Sequence, residues 1–155
     1  MTQVEEVVAL EAPWAPSPGV PAPVLWQTEN EAVLIYKAAA ATEHEGEHVV
    51  LVFAGCMATQ FGYPNDEALP GHPLASKGLG YYDIFEVLNS SWLARLTEQN
   101  RKVFPNAAAS TRQPRHFVVT FHDSTFECLA DGYAGQFTTD SVEAVLLPRI
   151  ALAAR

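Results

Sequence analysis

Positive charge is scarce in this chain. Its 155 residues carry nine Lys and Arg against 18 Asp and Glu, a net charge of −9. The shortage is sharpest in the first 94 residues, where Lys37 and Lys77 are the only bases among twelve acids. A surface of that sign repels phosphate backbones, which argues against nucleic acid as a partner and favours a basic protein. Cysteine is nearly absent too. Cys56 and Cys128 each sit inside an apolar run with no CxxC spacing, so neither a disulfide framework nor a thiolate metal site is expected, and both read as reduced core residues. No apolar run approaches the roughly 18 residues that a membrane span requires. The stretch MTQVEEVVALEAPW has acids where a secretory signal has Lys or Arg, so the expected location is cytoplasmic, with no membrane association.

What the chain does have is apolar and aromatic content. Hydrophobic residues make up 48%, with eight Phe, five Tyr and three Trp, enough for a core without staples. Proline is concentrated: PWAPSPGVPAP at 13–23 holds five of the 11, which removes backbone donors and favours an extended path. Residues 1–23 are therefore expected to be a Pro-rich leader, extended or disordered, ahead of a single domain at 24–155.

From Val24 the pattern is short apolar runs separated by polar turns. VLWQT and AVLIYKAAA flank an acidic turn and read as a hairpin, and HVVLVFAGCMATQF at 48–61 reads as a central strand, with Gly55 marking a bulge or a close backbone. Residues 62–80, with four Gly and three Pro, read as a long loop of the kind that often lines a site. YYDIFEVLN reads as a strand. Ser90 or Ser91 then caps a helix at about 91–104, and Asp140 with Glu143 caps a second at about 141–154, which Pro148 should kink or break. Strands joined by short polar links, without a crossover helix after each, predict an α+β fold: a predominantly antiparallel curled sheet or half-barrel around a helix.

The stretch HFVVTFHDSTFEC at 116–128 carries the densest chemistry. With a two-residue turn at Asp123-Ser124, alternation puts Phe117, Val119, Phe121, Phe126 and Cys128 on one face, and Val118, Thr120, His122, Thr125 and Glu127 on the other. Cys128 is then core, while His122 and Glu127 are diagonal neighbours that could act as a base and its orienting carboxylate, with Asp123 beside them. A turn on a wet sheet face explains the same residues. Tyr63, His72 and Asn89 are the candidate contacts for a small ligand. No metal site is expected, because His122, Asp123 and Glu127 lack a ligand spacing, and no cofactor is implied.

Three segments, FGYPNDEALPGHPL at 61–74, FEVLNSSWL at 85–93 and FVVTFHDSTFEC at 117–128, resemble a group of small uncharacterised bacterial proteins. The resemblance implies that the loop, the junction at Asn89 and the HDSTFE turn meet in space. Three functions are compatible with these residues. The first is an acidic binding or accessory protein acting on a basic protein partner, with a homodimer also compatible. The second is a small cofactor-independent enzyme with a His–carboxylate site at the mouth of the sheet. The third is a carrier or sensor of a small apolar molecule lined by Trp26, Tyr36, Phe53, Tyr82 and Phe85.

Overall fold

The computed structural model describes residues 2–40, 42–107 and 112–155. The chain runs β1 (Glu6–Ala9), β2 (Val24–Gln27), β3 (Glu31–Lys37), β4 (His48–Ala54), β5 (Ala58–Gly62), β6 (Ile84–Leu88), α1 (Ser91–Val103), β7 (Arg115–Thr120), β8 (Thr125–Ala130), β9 (Gly132–Thr138) and α2 (Val142–Ala153). All strand pairs are antiparallel. The fold is α+β, as the short links predict, with the strands divided between two open sheets of order β1-β6-β7-β8-β5 and β2-β3-β4-β9.

The two sheets face each other across the main core. Leu34, Tyr36, Leu51 and Phe53 from one layer meet Phe117, Val119, Phe126 and Cys128 from the other, all essentially inaccessible to water. Alternation along each strand produces this face. The helices lie outside it: Leu146 of α2 packs on Val33, Ile35 and Val50. Cys56 and Cys128 are unpaired and buried. Of the third function's aromatics, Tyr36 and Phe53 belong to the central core, Phe85 to a cluster on the outer face and Trp26 to the packing under α2, while the Tyr82 hydroxyl bonds Asp66.

Four local features differ from the reading of the sequence. The run at 48–61 forms two strands, because at Gly55 the backbone turns to φ +61° and the chain leaves the four-stranded sheet for the five-stranded one. Residues 6–9 are an edge strand on β6, and Trp14 packs at a tilt against Phe137 while its carbonyl accepts from the Tyr36 hydroxyl at 2.6 Å, so the Pro-rich segment is extended but built into the fold. The cap of α2 is Ser141, whose Oγ accepts from the Ala144 amide, and the helix continues through Pro148. The β7–β8 pairing runs Thr120↔Thr125, Val119↔Phe126 and Val118↔Glu127, which centres the turn on His122-Asp123 rather than Asp123-Ser124. A slip of two residues keeps every side chain on its expected face.

Gly62 closes β5, and residues 63–80 form no strand, only two short 3-10 turns, and lie over the outer face of the five-stranded sheet. Leu69, Leu74 and Leu79 pack there on Val7, Phe85, Val87 and Val118. Polar groups near the β7–β8 turn hold the segment's ends: Thr125 Oγ1 donates to Pro64 O, Thr120 Oγ1 to Gly80 O, and the Asp66 amide to His122 O, each at 2.9 Å. This docking at His122 accounts for the shifted turn.

Candidate functional site

The site is built where this segment meets the start of α1. Strand β6 ends at Leu88, Asn89 turns the chain with φ +55°, and Ser90 caps α1. Asn is among the residues that most readily take the left-handed region, and the Asn89 amide donates to the Val4 carbonyl of the distant N-terminal segment at 2.9 Å. The sharp turn sets the Ser90 hydroxyl against His116 on β7. Ser90 is 7% exposed and His116 3%.

From Ser90 a chain of side chains runs across the sheet. Ser90 Oγ lies 2.8 Å from His116 Nδ1, His116 Nε2 lies 3.0 Å from Glu127 Oε1, and Glu127 Oε2 lies 3.1 Å from His72 Nε2. His72 Nδ1 accepts the Leu74 amide at 3.0 Å. That bond fixes the tautomer: with Nδ1 accepting, the neutral His72 ring carries its proton on Nε2 and donates to Glu127. Burial pushes the Glu127 carboxyl upward, but the hydrogen bonds and charge of His116 and His72 outweigh it and hold the group at about 2. Glu127 is therefore an ionised acceptor at neutral pH. His116 Nε2–H must donate to it, and in the neutral ring Nδ1 is left to accept the Ser90 hydroxyl. Trp92 packs edge-on to His116, with ring centroids 5.2 Å apart.

His116 is the wall between two cavities. One, of about 240 Å³, is lined by His72, Glu127, Lys77, Gln60 and Trp92. The other is an open cleft of about 640 Å³ with Ser90 on its wall beside Val87, Leu93, Ala94 and Arg115. Glu5, just before β1, lies at the start of α1: Oε1 accepts the Ser91 amide at 2.7 Å and Oε2 pairs with Lys77. Burial raises this carboxyl, but those contacts outweigh it and hold it below its usual range. Of the first-turn amides of α1, Ser91, Leu93 and Ala94 have acceptors in Glu5, Ser90 Oγ and Ser90 O.

The residues singled out from the sequence fall in two places. Glu127 and His72 are joined, and Asn89 adjoins Ser90 on the wall of the larger cleft. His122 is not Glu127's partner; its Nδ1 lies 2.7 Å from Asp66 Oδ2, and that oxygen also accepts from the Tyr82 hydroxyl at 2.5 Å. The side chain of His122 is 46% exposed at the turn, with Asp123 3.8 Å from its other nitrogen. The hydrogen bond and charge of Asp66 raise His122, and the bonds from Tyr82 and His122 lower Asp66. Tyr63 is 87% exposed on the surface. Among the described residues no group of His, Cys, Asp and Glu is placed to hold a metal ion, and no helix is long and apolar enough to cross a membrane.

Two members of the chain, His116 and Ser90, are not among the site residues that the sequence singles out. His116 has the same strand parity as Glu127 and sits diagonally across from it, opposite Leu129, so the alternation that selected His122 selects it equally. Ser90 reads as a cap, and the cap is real, since Oγ accepts the Leu93 amide at 3.1 Å; its second bond, to a residue 26 positions away, has no local signature. No family model, no curated protein and no solved structure matches the chain.

Proposed function

We propose that the chain is a small acyl hydrolase in which Ser90 is the nucleophile, His116 the general base, Glu127 the carboxylate that orients it, and His72 the clamp on that carboxylate. The observation that carries the reading is the unbroken sequence Ser90 Oγ–His116 Nδ1–His116 Nε2–Glu127 Oε1, at 2.8 and 3.0 Å, with Ser90 on the wall of an open cleft. A nucleophile bonded to a base that a third group orients is the constellation required to activate a hydroxyl near neutral pH.

The reaction balances with water as the only co-reactant. Ser90 Oγ bonds to the carbonyl carbon while its proton passes to His116 Nδ1. The bond to the leaving alkoxide breaks, and His116 returns the proton to that oxygen. Water then attacks the acyl-Ser90, giving its proton to His116, and the carboxylic acid leaves with Ser90 restored.

A small fluorophosphonate, read by intact mass and peptide mapping, tests the assignment. One adduct on Ser90 is expected, absent in Ser90→Gly, a change that weakens the cap by only a few tenths of a kcal/mol. His116→Gln is expected to slow labelling about 10²- to 10⁴-fold. A folded protein that takes no label on Ser90, or labels as fast without His116, refutes the reading.

A further inference from the structure

The cleft beside Ser90 does not end there. A groove of about 900 Å³ runs along α1, lined by Leu93, Leu96, Val103, Phe104, Met57 and Pro114. Leu93, Thr97 and Pro114 line both spaces, so the groove continues the cleft. No residue of α1 is fully buried, and Val103 and Phe104 are 68% and 59% exposed. A helix usually buries such a stripe against its own domain.

We infer that this groove holds the acyl chain of the substrate, and that the hydrolase acts on esters of long, unbranched fatty acids. The inference rests on the assignment of Ser90. Three features select this occupant. The groove joins the cleft on whose wall Ser90 stands, through the shared Leu93, Thr97 and Pro114. Its length, from Leu93 to Val103, is roughly 15 Å at the helical rise, the reach of an extended chain of about a dozen carbons. Among the described residues lining the cleft and groove the Lys and Arg side chains are Arg115, paired with Glu86 at 2.6 and 2.9 Å, and Arg112, paired with Asp131 at 3.1 Å, so each already has a carboxylate partner and the lining favours an uncharged chain.

The test is hydrolysis of p-nitrophenyl esters from acetyl to dodecanoyl by the full chain below micelle-forming concentrations, in parallel with labelling of Ser90 by a short fluorophosphonate. The expected result is a rise in kcat/KM of about two- to fourfold per added methylene, levelling near twelve carbons. Leu96→Gln and Val103→Glu, both on the groove and outside the catalytic set, should abolish most of that rise while leaving acetyl-ester hydrolysis and labelling unchanged. A flat or falling chain-length profile in a protein whose Ser90 labels overturns the substrate class and leaves the hydrolase standing. Failure of Ser90 to label overturns both.

Discussion

Glu127 is the group on which the whole arrangement turns, and Glu127→Gln is the perturbation whose size follows most directly from the structure. The substitution keeps shape and removes charge. A carboxyl held at about 2 against an ordinary 4.5 contributes about 3 kcal/mol to folding at neutral pH, at about 1.4 kcal/mol per pH unit. Because the folded value is depressed, that contribution is fully present above 4.5 and disappears as pH falls through about 2. Gln also presents its NH2 to one of two imidazoles that both donate, so one contact becomes donor against donor. We therefore expect the variant to unfold with about 3 kcal/mol less free energy at pH 7, and the gap to close progressively between pH 5 and pH 2 as the wild-type carboxylate is protonated. Urea titrations monitored by circular dichroism at pH 7, 5, 4 and 3 measure it. A gap that stays constant across this range refutes the view that an ionised Glu127 ties His116 to His72.

Two further predictions probe the surroundings of the site. A methyl group at Gly135 would lie 2.5 Å from the Trp14 indole and 3.0 Å from Leu51 Cδ2, so Gly135→Ala should displace Trp14, shift its fluorescence and cost about 1–3 kcal/mol, whereas wild-type stability would mean that the Pro-rich segment is not seated on β9. His122 is raised by Asp66, so its charged form supports the fold below about 6.5 and that support is lost as pH rises through the raised folded value. His122→Ala should accordingly lower Tm most at pH 6, with the difference narrowing by pH 9. A constant difference would mean that the ion pair with Asp66 contributes nothing.

Strand periodicity carried most of the fold because burial here is two-sided and regular. The faces of β7 and β8 survived a misplaced turn, since a two-residue slip leaves parity intact and only loop docking decides where the chain reverses. The Pro-rich segment was harder. Proline forbids ladder donors, which is true of 13–23, but the strand at Glu6–Ala9 that draws it in lies upstream, and its partner β6 is almost eighty residues away. Division of 48–61 between two sheets hinges on one positive φ at Gly55, where the sequence permits a turn without requiring one.

The candidate site was half legible for the same physical reason. Alternation says which side chains share a face but not which of them a covering segment will reach. On the outer face of β7 and β8 the polar positions are His116, Thr120, His122, Thr125 and Glu127, and residues 62–80 sort them. The two threonines and His122 are used in fastening that segment, which leaves His116 and Glu127 beneath it with His72 delivered to them. Dense chemistry in HFVVTFHDSTFEC therefore has two uses that composition cannot separate. His122, the more conspicuous histidine beside Asp123, anchors a loop in the open, while His116, set among valines and phenylalanines, is the one held between a buried hydroxyl and a buried carboxylate.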